Sequence, residues 1–240
     1  MRGLRPFYNI GAVKKLTLVP VIGLLMLSGS APAPAQTPAA QGAPRMTFFV
    51  TSTGSGKGAN FAGIRGADAH CQTLATAAGA ADRSWRAYLS VTDLNGKGAI
   101  HARDRIGTGP WYNAKGVRIA RNVDDLHSDS NNINPRTALT EKGTEIPPKP
   151  NIHDILTGST LEGRAWDYNM LDTLNLENGA MTCNNYTSDA EDGAAMVGHF
   201  DRGGTAPLSP WNAAHPTVGC SQAKLAMTGG AGLLYCFAID

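Results

Sequence analysis

Short apolar runs, separated by segments rich in glycine and asparagine, follow one another along the chain from residue 46 onward. Residues 66–79 place apolar side chains three and four positions apart and end at a glycine, which predicts an amphipathic helix. Those apolar positions are Ala67, Cys71, Leu74 and Ala78. Residues 84–91 alternate apolar and polar side chains, which predicts a buried strand.

The other predicted elements are brief. A second short helix is expected at residues 122–127. Further strands are expected at the apolar runs 46–53, 153–158, 194–200, 224–230 and 232–239. Residues 128–182 lack sustained periodicity outside the run at 153–158, which predicts long loops. We therefore expect an α+β domain with one or two helices on a small antiparallel sheet.

The first 35 residues have the pattern of a secretory signal peptide. A basic segment precedes the apolar run 16–27, and an Ala-x-Ala site ends at Ala35. The apolar run is too short for a bilayer, which requires about 20 apolar residues. We expect cleavage before Gln36, a flexible linker over 36–45 and one domain over 46–240. The product would be exported, without a membrane span, to the periplasm, the cell surface or the medium.

Removal of the signal peptide changes the charge of the chain. The full sequence has 21 basic and 19 acidic residues, and four basic but no acidic residues lie in the first 35. The remainder has 17 basic and 19 acidic residues, a net charge of −2. This balance predicts no strong attraction to nucleic acid or to an anionic membrane.

Four cysteines in an exported domain favour two disulfides over a metal site or a catalytic thiol. No C-x-x-C pair is present, which argues against structural zinc. Three connectivities are possible. We favour the nested one because Cys236 lies in the terminal apolar run, which must be tied to the core. The expected pairs are Cys71–Cys236 and Cys183–Cys220.

A series of short motifs resembles a known family. The chain carries, in this order, "GIRGADAHCQTLA", "WRAYLS", "ARDR…PWYN", "HDILTGSTLEGR", "TCNNYTS" and "GCSQ…LLYCFA". This series resembles the endostatin domain at the end of some animal collagens, and also bacterial endostatin-like surface proteins. The resemblance implies a C-type-lectin-like fold with long loops and the same nested disulfides.

The metal sites of these families are not expected in this chain. The resemblance places the endostatin zinc ligands at histidines near the start of the domain and at one aspartate. Here no histidine precedes His70, and Gly116 stands where that aspartate would fall. The calcium site of sugar-binding C-type lectins needs an aspartate where this chain has Ala213. We therefore expect no metal and no cofactor.

Aromatic residues beside amides indicate a possible glycan site. Trp111 lies near Asn113, and Trp211 and Asn212 lie near His215 in a loop bounded by prolines. Such pairs suit sugars, whose apolar faces stack while their hydroxyls form hydrogen bonds. The alternative is that these tryptophans pack into the core, as large aromatics often do. We expect a non-enzymatic, lectin-like binding module for a glycan, or alternatively an adhesin for matrix or host proteins.

Catalysis is the third alternative, as a periplasmic hydrolase. Its candidate groups are the adjacent pair His153 and Asp154, the nearby pair His199 and Asp201, and His215. Neither G-x-S-x-G nor H-E-x-x-H occurs in the chain. Because no complete catalytic constellation is visible, the sequence predicts a protein that is not an enzyme.

Overall fold

The structure is a computed structural model that describes residues 45–93, 98–166, 181–203 and 209–240. The predicted signal peptide and nearly all of the linker lie outside these residues. The helical segments are α1 (Ile64–Ala77), α2 (Val123–Leu126), α3 (Cys183–Tyr186) and α4 (Gln222–Thr228). The strands are β1 (Phe48–Val50), β2 (Trp85–Ala87), β3 (Trp111–Tyr112), β4 (Arg118–Ala120), β5 (Asp154–Leu156), β6 (Met196–His199), β7 (His215–Pro216) and β8 (Gly230–Ala238). All strands except β8 are short and the connections are long, as the sequence predicts for an α+β domain.

The long terminal strand β8 organises the main sheet. The strand order is β1-β8-β5-β6-β7, and β2 also pairs with β8, while β3 and β4 form a separate hairpin. Pairings in the main sheet are antiparallel except that of β5 with β8, which is parallel. The small antiparallel sheet that the sequence predicts therefore also contains one parallel pair. A parallel pair needs a long crossover, and the chain between β5 and β8 supplies one that includes β6, β7 and α4.

Both faces of β8 are covered by apolar side chains. Leu234 and Cys236 belong to the cluster that also contains the buried face of α1, whereas Tyr235 and Phe237 belong to the cluster on the opposite face. Alternation along the strand produces this division. Helix α1 and the disulfide Cys71–Cys236 follow the prediction, and so does the inner disulfide Cys183–Cys220.

Helix α4 corrects the prediction of a strand over residues 224–230. The Ser221 hydroxyl accepts a hydrogen bond from the Lys224 N–H and caps the start of the helix. Gly229, with φ of 98°, ends it in the left-handed region that glycine adopts readily. The apolar run alone suggests a strand, but its flanking cap residues and the single buried Leu225 suit one short amphipathic helix.

One close crossing places β7 beside β6. The backbone of Trp211 passes so near Gly198 that a Cβ on Gly198 would lie 1.8 Å from the Trp211 carbonyl oxygen. Glycine is therefore required at this position of β6. The crossing lets β7 pair with β6 at the sheet edge. Among the described residues, no helix has the length and apolar character needed to cross a membrane.

Candidate metal centre

Three neighbouring strands bring one carboxylate and two imidazoles together. Asp154 in β5 lies directly opposite His199 in β6, and His215 in β7 lies opposite Val197, two positions before His199. Opposed residues share a face of the sheet, and so do residues two apart in one strand. The register therefore puts Asp154, His199 and His215 side by side on one face.

The donor atoms of these residues lie at the separations expected around one ion. His199 Nε2 is 3.1 Å from Asp154 Oδ1, and His215 Nε2 is 3.6 Å from the same oxygen. The two Nε2 atoms are 2.9 Å apart. Zinc bonds of about 2.0–2.1 Å place tetrahedral ligands about 3.3 Å from one another. The Asp154–His199–His215 triad thus has the dimensions of three corners of such a site.

Backbone carbonyls assign the tautomers of both imidazoles. His199 Nδ1 lies 2.6 Å from the Gly203 carbonyl oxygen, and His215 Nδ1 lies 3.0 Å from the Pro216 carbonyl oxygen. A carbonyl only accepts, so each Nδ1 carries the hydrogen, and in a neutral ring Nε2 then carries a lone pair. Two lone pairs 2.9 Å apart would repel each other, and either a proton on one Nε2 or a cation bound between the rings removes this repulsion. This is the orientation in which ligating histidines are held.

The carboxylate of Asp154 is fully buried. Neither of its oxygens meets a donor at hydrogen-bonding angles within the described part of the chain. Burial alone raises the pKa of this carboxyl, but the adjacent His199 and His215, with a smaller contribution from Thr228, lower it by more, to about 2. Because no hydrogen bond is formed at proper angles, we attribute this lowering to the positive charge of the rings when they are protonated. A buried charge needs a counter-charge, which a protonated imidazole or a bound cation would supply.

Asp154 in turn raises the pKa of both imidazoles. At His199, burial is the largest influence and lowers the pKa, but Asp154 and the Gly203 carbonyl together raise it by more. At His215, Asp154 is the largest influence and raises the pKa against a smaller effect of burial. The His215 side chain is 34% exposed, so the triad is reachable from solvent on that side.

His153 and Asp201 form a second pair next to the triad. His153 Nδ1 is 3.1 Å from both carboxylate oxygens of Asp201, and its Nε2 is 3.3 Å from Asp154 Oδ1. Its ring stacks on His199 with centroids 4.0 Å apart and planes inclined by 18°. An ion lies in the plane of each imidazole that binds it, so two stacked rings in this arrangement cannot both bind one ion. His153 therefore belongs to the surroundings of the triad.

Apart from His215, the residues predicted to bind a glycan lie outside the triad. Trp211 is 3% exposed and packs against the rings of Tyr88 and Tyr235. The Asn212 amide is buried and donates to the Tyr88 hydroxyl and to two backbone carbonyls. The structure thus corrects the expectation of a stacking platform at Trp211 and Asn212, because their surfaces and donors are already used inside the fold.

Trp111 and Asn113 are also core residues. Trp111 packs edge-on against Phe237, and the Asn113 side chain bonds the backbone of its own hairpin and of Thr137. Trp111 contributes to the wall of a groove of about 440 Å³ that also includes Tyr112. Its ring is nonetheless almost completely buried, so it offers no open face for a sugar.

The sequence singled out the residues of the triad but not their convergence. His153, Asp154, His199 and Asp201 appear there only as candidate catalytic groups, and His215 as a candidate for both catalysis and glycan binding. The expectation of no metal rested on Gly116 and Ala213, and neither position belongs to the triad. The available signal was a set of His and Asp residues at strand ends, which could not show which strands pair.

No family model matches the chain, and no curated protein matches it. The resemblance to endostatin-like domains therefore stays a prediction, and the functional argument rests on the geometry of the triad.

Proposed function

We propose that this chain is an exported binding domain that holds one divalent transition-metal ion, with zinc as the first candidate. The single observation that carries the proposal is the triad itself. Two imidazole Nε2 atoms and a buried carboxylate oxygen lie 2.9–3.6 Å from one another, with both Nδ1 atoms bonded to carbonyls. The ligands are Asp154, His199 and His215.

The donor set favours transition metals over calcium or magnesium. Two imidazole nitrogens and one carboxylate suit zinc, copper or nickel, whereas calcium takes six to eight oxygen ligands. Three protein ligands at tetrahedral spacing also leave one coordination position free. The His215 side chain is 34% exposed, which supports access to that position from solvent. A ligand of the domain could occupy it.

A binding role agrees with the lectin-like fold that the sequence predicts. A glycan or an extracellular protein remains the proposed ligand class. Metal-assisted hydrolysis is the second candidate function, because an ion with three protein ligands and one free position can also activate water. A panel of ester, peptide and phosphoester substrates, tested with and without zinc, separates hydrolysis from binding alone.

Zinc titration by calorimetry tests the proposal directly. After removal of metal with a chelator, the wild-type domain should bind one zinc ion per chain, and millimolar calcium should not displace it. His215→Ala should weaken zinc binding by at least about 100-fold, since a ligand should matter more than an outer partner, whose loss costs 10–100-fold. His70→Ala removes a histidine of α1 outside the triad and serves as the matched control.

Thermal unfolding gives a second measurement. Free zinc at 100 times the dissociation constant should stabilise the domain by about 2.7 kcal/mol. For a domain of this size, that corresponds to a rise in Tm of about 5–11 °C. Overlapping melts with zinc and with chelator, together with the absence of calorimetric binding, would contradict the proposal.

A further inference from the structure

A three-residue turn after β6 contacts two of the clustered imidazoles at once. Asp201 Oδ1 accepts the Gly203 N–H at 2.8 Å, and Arg202 between them adopts φ of 57°. The Gly203 carbonyl accepts the Nδ1–H of His199 at 2.6 Å. The Asp201 carboxylate lies 3.1 Å from Nδ1 of His153. One turn therefore holds the Nδ1 side of both rings.

His153 links Asp201 to the triad by direct contacts. Its ring covers one face of His199 at 4.0 Å, which limits rotation of the His199 ring about the Cβ–Cγ bond. Its Nε2 lies 3.3 Å from Asp154 Oδ1, beside the proposed metal position. Asp201 thus acts on His199 by two routes, through the stacked His153 ring and through the shape of the turn that presents the Gly203 carbonyl.

We infer that the turn Asp201–Gly203 positions the ligands of the metal centre, with Asp201 as the residue that sets the affinity. This inference rests on the proposed function. Ligand rings that are held in the binding orientation lose little freedom when the ion arrives, and outer partners of metal ligands act in this way. Asp201 is a positioning residue, since its oxygens are engaged with His153 and Gly203.

Zinc affinity in a series of Asp201 variants tests the inference. Asp201→Ala removes the acceptor for His153 Nδ1 and should weaken zinc binding by about 10–100-fold. Asp201→Asn keeps an acceptor oxygen but loses the charge, and Asp201→Glu keeps the charge, so both should recover part of the affinity. Asp129→Asn is the matched control, because it removes a fully exposed carboxylate near the neighbouring Arg202. It should change the affinity by less than about twofold.

Substitution of Co(II) for zinc separates positioning from direct ligation. The visible spectrum of Co(II) reports the donor atoms and their geometry, so Asp201→Ala should keep the band pattern of the wild type at saturating metal. Weakened binding with a changed donor set would show that Asp201 is a ligand, and would overturn the inference. Affinity of Asp201→Ala within about twofold of the wild type would also overturn it.

NMR of the metal-free domain distinguishes failure of the inference from failure of the proposed function. Long-range ¹H–¹⁵N spectra report the Nδ1 and Nε2 states of each histidine without any ion. Asp201→Ala should shift the Nδ1 resonance of His153 and broaden the ring resonances of His199, whereas Asp129→Asn should leave these resonances unchanged. If the wild type binds no zinc, the proposed function fails, and these spectra still decide whether Asp201 holds the rings. If Asp201→Ala does not fold, Asp201→Asn and Asp201→Glu provide the same comparison.

Discussion

Replacement of Trp211 by alanine measures whether this residue belongs to the core or to a ligand platform. The indole is 3% exposed, and its ring centroid lies 4.8 Å from that of Tyr88 and 5.2 Å from that of Tyr235. Removing a buried tryptophan costs about 3–5 kcal/mol. The backbone hydrogen bond from the Tyr235 hydroxyl to the Trp211 carbonyl is available to alanine as well, so the side chain alone accounts for the loss.

Urea unfolding in the presence of a chelator is the appropriate assay. With a slope of about 2–3 kcal/mol per molar urea, the expected loss lowers the midpoint by about 1–2.5 M. Met227→Ala, at a side chain that is 70% exposed on α4, should cost less than about 0.5 kcal/mol and serves as the control. A loss below about 1 kcal/mol for Trp211→Ala would refute the core assignment and restore a sugar platform as an interpretation.

Two further predictions concern the inner disulfide and a buried histidine. Cys183→Ala combined with Cys220→Ala should lower the unfolding free energy by about 2–4 kcal/mol, because the unfolded chain is no longer constrained by a closed loop. Urea unfolding measures this change, and an unchanged unfolding free energy would contradict the prediction. Burial lowers the pKa of His127 in the folded domain. Below about pH 6.5 the unfolded chain therefore binds more protons than the folded domain, and the unfolding free energy should fall as the pH drops through the lowered pKa. His127→Gln should remove that part of the pH dependence of the unfolding free energy between pH 7.5 and pH 5. If the unfolding free energy has the same slope against pH in both proteins, His127 contributes none of this dependence.

The elements that the sequence predicts well are those with a local signal. Helix α1 follows from apolar side chains at three- and four-residue spacing, and its buried positions include Ala67 and Cys71 as expected. The terminal strand follows from an apolar run that ends the chain, and its Cys236 pairs with Cys71 as predicted. Residues 224–230 show the limit of such signals, because a short apolar run fits a strand and a one-face helix equally well.

The burial of Trp211 and Asn212 depends on contacts that are distant in sequence. Asn212 donates to the Tyr88 hydroxyl, which also lies 2.8 Å from His127 Nε2. Neither partner is near residue 212 in the sequence, so an asparagine that completes a core network looks the same there as one that awaits a ligand. Only the tertiary structure shows that its donors are already engaged.

The sequence by itself contained the pattern of an export signal, predicted the main helix and the terminal strand, favoured one of three cysteine pairings and supplied the residue types that could carry chemistry. The tertiary structure decided that β5, β6 and β7 are neighbours, and therefore that Asp154, His199 and His215 meet. The physical reason is that side-chain periodicity reports which face a residue occupies within its own strand. Strand order depends on long crossovers and on close passages such as the one at Gly198, which local spacing does not encode.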